Sequence, residues 1–468
     1  MKTRFIILLS ALILVLGCVS EESTYDSATL SNETSTSDVV GPNCPPDCNV
    51  VLFTVDALRA DHLGVYGHYR NTSPNIDKFS EQSMVFRNSI AQAPWTLPSY
   101  MSMLTGLYAS QHGVLDAESS VLGNETITLA DILHGQGYKT AAFTGGAWVS
   151  EKHNYHTFDV FDESGGLTGN NFDEMIGWLN SNSEERFFLL WHDFTVHCPY
   201  TPSEEFDVFA EKSFPGVLSY CPDEFQSQLK GDVVNCRRCK RYFDQVMDNM
   251  TESDFEYVKK KYDGGILWAD DRFARFLETL DEKGIRDETI IIFVSDHGQS
   301  FADRENRGRV GHTILYEEVL RVPLILNIPG QKESAEVQEI VELIDLMPTV
   351  LGLLEMDVPE GIEGKNLLEN HREYDSHAYS ENFRKYTAYS LRNDNLKIIY
   401  YEDEDLFEFY DLDEDPHERN DLSGQNTTQE DQLRELLMSK IPIKISLTQE
   451  AQIDEEAIEE LKALGYVT

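Results

Sequence analysis

The sequence predicts an α/β protein, a doubly wound and mostly parallel sheet followed by a small C-terminal α+β subdomain. Three observations carry this. Almost wholly apolar, largely β-branched or aromatic runs at Val50 to Val55, Phe187 to Trp191 and Thr289 to Val294 have the texture of strands buried on both faces of a parallel sheet. Stretches of helical periodicity lie between them, the alternation expected of strand and crossover helix. Finally, 468 residues, 41% of them hydrophobic, suffice for one large core or two unequal domains.

The amino terminus precedes the fold. Lys2 and Arg4 before the apolar run Phe5 to Leu16 read as a signal peptide over residues 1–17, too short to span a bilayer comfortably. Val15-Leu16-Gly17-Cys18 resembles a lipobox, in which Cys18 becomes lipid-modified, and the polar stretch 18–48 then serves as a tether. This predicts an extracytoplasmic, membrane-anchored lipoprotein; the competing reading is a plain secretory signal. Asp plus Glu total 82 against 38 Lys plus Arg, a net charge of -44, which argues against nucleic acid as a partner and against a basic membrane-binding face. So acidic a surface suits a high-salt setting, where screening relieves self-repulsion, or an ordinary acidic secreted protein.

A catalytic domain is expected over residues 49–370. The Val50 to Val55 strand ends at Asp56, and ligand sites in such sheets lie beyond the carboxyl ends of strands. Ala93-Pro94-Trp95-Thr96-Leu97-Pro98-Ser99-Tyr100 then reads as a helix entrance: Pro98 fits the first turn, and Thr96 falls at or just before the cap. A hydroxyl there faces free N–H groups and the positive end of the helix dipole, which favours an alkoxide and an anionic ligand alike. A helix at Thr128 to Gln136 and strands at Thr140 to Thr144 and Phe187 to Trp191 follow, the last leading to His192 and His197.

Residues 202–250 have little apolar periodicity and read as a surface insertion. Cys198, Cys221, Cys236 and Cys239 lie in or beside it, as two disulfides or a four-cysteine zinc site, with Cys44 and Cys48 a further local pair. An amphipathic helix is predicted from Phe255 to Leu280, closed by Gly284. The Thr289 to Val294 strand delivers Ser295-Asp296-His297-Gly298. Arg304, Arg307 and Arg309, then Gly311-His312, a strand from Pro323 to Ile328 and a helix from Val341 to Leu354 come next. Residues 371–468 form the subdomain, with short strands at Leu396 to Tyr401 and Leu406 to Leu412 and a polar helix ending at Leu464-Gly465-Tyr466.

Two strand-end acids, Asp56 and Asp296, with the His297 imidazole and the Thr96 hydroxyl, make a four-ligand set for one divalent ion: Mn, Zn, Mg or Ca. Such an ion would turn Thr96 into an alkoxide nucleophile at neutral pH. His312 and His197 remain to hold substrate oxygens or protonate a leaving group.

At these residues the chain resembles the sulfatase family of the alkaline phosphatase superfamily. The resemblance rests on Val55 through Gly67, Thr96-Leu97-Pro98-Ser99-Tyr100 with Leu104-Thr105-Gly106, His197-Cys198-Pro199-Tyr200, Ser295 through Gly298, Gly311-His312 with Leu315 through Glu318, and Tyr410-Asp411-Leu412. It implies an alkaline phosphatase-like fold and an anionic ester substrate. Three departures bear on chemistry. Sulfatases carry Cys or Ser at the nucleophile position, oxidised to the aldehyde formylglycine, whereas the β-methyl of Thr96 forbids that aldehyde. Tyr100 stands where the family has Arg, and Ala57 where it has a second Asp. A Thr nucleophile is instead similar to superfamily members that move phosphorus groups. The sequence therefore predicts a metal-dependent hydrolase or transferase of phosphate esters or diesters working through Thr96. Sulfate-ester hydrolysis without formylglycine and a non-catalytic surface lipoprotein are the alternatives.

Overall fold

Every residue of β1 (Asn49–Val55) is buried, and its side chains divide between the two faces of one sheet: Val50 and Leu52 pack into one apolar cluster, Val51, Phe53 and Val55 into the other. A strand with no polar face needs covering on both sides, which is the physical root of the doubly wound architecture. The computed structural model describes residues 47–116, 121–146, 148–153, 157–166, 169–198, 200–214, 250–303, 310–369, 377–425 and 428–442. Outside them lie Cys18 with its signal and tether, Cys44, Cys221, Cys236, Cys239, the three loop arginines and the closing Leu464-Gly465-Tyr466. Cys48 is buried and Cys198 half-buried, so neither the disulfide nor the zinc expectation is decided among the described residues.

After β1 come α1 (Pro74–Ser80), β2 (Met84–Ile90), α2 (Thr96–Thr105), α3 (Leu129–Gly135), β3 (Lys139–Phe143), β4 (Val160–Asp162), α4 (Phe172–Asn182) and β5 (Phe187–Asp193). The 32-residue α5 (Glu252–Lys283) leads to β6 (Thr289–Val294), the short β7 (Ser300–Phe301) and β8 (Val310–Gly311), then β9 (Arg321–Asn327), β10 (Ala335–Glu342) and α6 (Leu346–Leu353). The large sheet has the order β10-β2-β9-β6-β1-β5-β3-β4. It is parallel except at β9, which runs antiparallel to both of its neighbours. On one face sit α2, α3 and α6; on the other lie α1, α4 and α5. A four-stranded antiparallel sheet follows, β11 (Ala378–Asn382), β12 (Ala388–Arg392), β13 (Leu396–Tyr401) and β14 (Leu406–Asp411), with α7 (Thr428–Lys440) packed on it.

Local chemistry sets the helix ends. Thr128 caps α3 reciprocally with Asp131, and Thr251 does the same for α5 with Asp254. Gly284, at φ 70°, ends α5 in the left-handed conformation that glycine adopts without a Cβ penalty. The predicted Val341 to Leu354 helix is shorter than expected. Val341 and Glu342 pair with Ser89 and Ile90 of β2, a 3-10 turn spans Leu343–Asp345, and the helix begins at Leu346, which puts Pro348 in the first turn where it loses no hydrogen bond.

Candidate active site

Register brings the site together. β1 lies between β5 and β6, with Thr54 opposite both His192 and Val294, so Asp56 emerges beside the Ser295-Asp296-His297-Gly298 turn. That turn is held tightly. Ser295 Oγ donates to the carbonyl of His297 (2.7 Å), and Gly298 N–H donates to Val319 O (2.7 Å). A Cβ on Gly298 would come within 2.2 Å of Glu318 O, so only glycine lets the turn approach this closely. From the facing layer, α2 presents Thr96. Trp95 is its N-cap and Thr96 its first helical residue, one position inside the expected cap.

Asp56, Thr96, Asp296 and His297 are all buried and adjacent. Thr96 Oγ1 lies 3.2 Å from Asp56 Oδ2 and 3.2 Å from His297 Nε2. His297 Nε2 is 3.5 Å from Asp296 Oδ2 and 4.0 Å from Asp56 Oδ1. Those two carboxylate oxygens are buried without any hydrogen-bond partner, a costly condition for acceptor atoms unless a cation lies between them. Ligands about 2 Å from a common ion stand roughly 3–3.5 Å from one another, which the 3.2 and 3.5 Å separations match, with Asp56 Oδ1 wider at 4.0 Å. The surrounding bonds orient each group for that role. His297 Nδ1–H donates to Gly298 O (2.8 Å), which turns the Nε2 lone pair inward, and Asp296 Oδ1 accepts the N–H groups of His297 (2.9 Å) and Ala57 (3.2 Å), which leaves Oδ2 for the centre. The residues thus fit a divalent ion, the cofactor that sulfatases typically carry.

Electrostatics agree with the geometry. Burial raises the Asp296 carboxyl, and the charge of Asp56 raises it further. Burial alone would also raise Asp56, but His197, His192 and His297 outweigh it and hold that carboxyl low. Burial pushes the His197 imidazole down, and pushes His312 well down with help from His297, His197, Arg384 and Lys385. The His312 ring stacks on His297 at 4.4 Å and lies 5.6 Å from His197. Both predicted auxiliary histidines therefore border the centre. His197 Nδ1–H donates to Cys198 O (2.8 Å), and its Nε2 is a buried nitrogen with no partner.

Sequence reasoning missed His192, whose Nε2–H donates to Asp56 Oδ2 at 3.0 Å. Its only signal was its place at the end of a buried strand. The departures also take definite positions. Tyr100 does not reach the centre; its hydroxyl bonds Thr54 beneath β1, and its ring lies 4.9 Å from that of His192. Ala57 adopts a left-handed φ of 58°, its carbonyl accepting Tyr262 O–H (2.7 Å).

A mostly parallel sheet that carries two strand-end acids, an imidazole and a helix-entrance hydroxyl makes a candidate metal centre of the kind an ester hydrolase uses. The chain matches the sulfatase family over residues 48–356 and the N-sulphoglucosamine sulphohydrolase C-terminal family over residues 307–443. It belongs to the sulfatase family of the alkaline phosphatase superfamily and is a hydrolase of that family. An arylsulfatase of Clostridium perfringens is 26% identical, covering 84% of this chain and 94% of its own length. A multifunctional alkaline phosphatase superfamily protein of Trinickia caryophylli is 24% identical, covering 80% and 91%. Among solved structures, one captured with its substrate D-glucosamine-2-N,6-O-disulfate has a TM-score of 0.71 at 20% identity, covering 84% of this chain and 97% of that one. The phosphonate monoester hydrolase of Agrobacterium radiobacter has a TM-score of 0.67 at 18% identity, covering 84% and 95%. These two share the fold.

Proposed function

We propose that this hydrolase cleaves anionic esters of phosphorus, phosphate diesters or phosphonate monoesters, with Thr96 as the nucleophile. The observation that carries this is the Thr96 hydroxyl itself, buried at the helix entrance between Asp56 and His297, on a β-carbon whose methyl group rules out the aldehyde used by sulfatases. Asp56, Asp296, His297 and Thr96 would hold one divalent ion; when bound, it lowers the pKa of the hydroxyl and offsets the two carboxylates. Thr96 Oγ attacks phosphorus as the bond to the departing alcohol oxygen breaks, and a covalent phosphothreonine ester forms. Water then cleaves that ester and restores the hydroxyl. His312 and His197, whose imidazoles burial makes harder to protonate, meet the substrate oxygens, and the charge of an arriving anion favours their protonation for the leaving alcohol.

The lipobox-like stretch ending at Cys18 supports an anchored position outside the cytoplasm. Among the described residues no helix is long and apolar enough to cross a membrane. A second reading, sulfate-ester hydrolysis by the same Thr96 attack, is favoured by the arylsulfatase similarity and by the matching C-terminal family. The test is parallel turnover of aryl phosphodiester, aryl phosphonate and aryl sulfate by wild type and Thr96→Ala in divalent-metal buffer. The phosphorus esters should be turned over preferentially, with a loss of at least about a thousandfold in Thr96→Ala. Full activity of Thr96→Ala on every ester refutes the nucleophile, and preference for the sulfate selects the second reading.

A further inference from the structure

His192 makes one hydrogen bond from a ring that could make two. Its Nε2–H donates to Asp56 Oδ2 at 3.0 Å, while its Nδ1 is buried with no hydrogen-bond partner among the described residues. An unpartnered buried nitrogen is a cost that an apolar side chain of similar size would not carry. What the imidazole adds over such a side chain is the Nε2 donor, and that donor meets a carboxylate of the centre. Packing holds the ring to this one direction. His192 is fully buried in β5, opposite Thr54 of β1. The Tyr100 and Phe194 rings lie against it at 4.9 and 4.8 Å, inclined by 59° and 67°. Phe194 is confined in turn, since a Cβ on Gly145 would come within 2.9 Å of its ring. Tyr100 braces the imidazole with its ring and ties its hydroxyl to Thr54, the residue paired with His192. The bond sorts the two oxygens of Asp56. Oδ2 receives His192 Nε2–H at 3.0 Å and Thr96 Oγ1–H at 3.2 Å, whereas Oδ1 has no hydrogen-bond partner among the described residues and lies 4.0 Å from His297 Nε2. With Oδ2 engaged by two donors the carboxylate cannot turn freely, and the oxygen with unused lone pairs is the one nearer the imidazole of the centre.

We propose that His192 is a positioning residue of the metal centre: by holding Asp56 Oδ2 it presents Asp56 Oδ1 to the ion. The proposal rests on the reading of Asp56, Asp296, His297 and Thr96 as ligands of one divalent ion. It does not depend on whether the ester cleaved is one of phosphorus or of sulfur.

Manganese binding separates this role from a merely structural one, because carboxylate and imidazole ligands accept that ion and the cysteines of the chain compete for it poorly. The full chain is stripped with a chelator and titrated with manganese, and the ion left free is read by its electron paramagnetic resonance. His192→Phe keeps an aromatic ring and removes the donor, whereas His192→Gln keeps an N–H donor on a side chain of similar reach. His192→Phe should weaken manganese binding by about 10- to 100-fold, and His192→Gln should stay within a few fold of wild type. Unfolding temperatures of the metal-free proteins certify the fold, and His192→Leu, smaller and equally without a donor, takes the place of His192→Phe if that variant does not fold. Wild-type affinity in the donor-free variant overturns the proposal. So does a loss in His192→Gln as large as in the donor-free variant, since the donor would then not be what matters. In both cases wild type still binds manganese and the metal centre stands. A wild type that takes up no manganese would instead sink the reading of the centre, and this proposal with it.

Discussion

Asp270 offers a measurement in which two opposed effects compete. It projects from α5 onto the start of α1, and its carboxylate accepts the backbone N–H groups of Asn75 (3.0 Å) and Ile76 (2.8 Å) and the Asn75 Nδ2 amide (2.7 Å). Those donors favour the charged form, but burial works against it and wins, with Asp77 adding to it, and the carboxyl is raised from 3.8 to about 6. The folded protein then binds a proton more tightly than the unfolded chain. The group's contribution to stability is complete below about pH 3.8 and is lost as pH rises through about 6, in total about 3 kcal/mol at ~1.4 kcal/mol per pH unit. Roughly 2 kcal/mol of this falls between about pH 4.5 and 7.5. Asp270→Asn keeps the shape and removes the titration. Urea unfolding of both proteins at the two pH values isolates this residue, since the remaining acidic surface contributes equally to each. The stability of wild type relative to Asp270→Asn should fall by roughly 2 kcal/mol from the lower to the higher pH. A difference that stays flat, or that grows in favour of wild type, would refute the reasoning and make the three N–H donors dominant over burial.

Arg272→Ala should destabilise by roughly 3–5 kcal/mol, because Arg272 Nη1 sits 3.1 Å from Asp193 Oδ2 and its removal leaves that carboxylate fully buried without its ion partner. Denaturant unfolding of Arg272→Ala against the Asp193→Asn, Arg272→Ala double variant checks it, and the double variant should recover part of the loss. Removing divalent metal with a chelator should lower the unfolding temperature, and readdition should restore it in proportion to the logarithm of free metal; Asp296→Asn should abolish that response.

Much of the site was legible because its acids stand where buried strands end. Val50 to Val55 and Thr289 to Val294 are apolar but for one threonine each, and each leads to an acid beyond its carboxyl end. β2 and β10 were not legible. Arg87 and Asn88 interrupt the first, and the second, at the sheet edge, alternates charged and apolar residues, so neither has the uninterrupted texture of the central strands. His192 was missed for a related reason: a histidine closing an apolar strand has no local signature, and only the pairing of β5 with β1 turns it onto Asp56. The contact of Arg384 with Trp95 was not readable from sequence either, since it depends on a hairpin from the second sheet reaching back to the helix entrance.

The pairing of β1 with β6 has a further consequence in the order of synthesis. Ala57 and Asp296 share a hydrogen bond across 239 positions of sequence, and the Thr313 carbonyl accepts one from Tyr386 O–H, which is made later still. A ribosome-bound chain holding Asp56 and Thr96 possesses neither the opposing carboxylate nor the imidazole. Reactivity is thus a property of the finished domain, because groups that meet at the centre are made far apart in time.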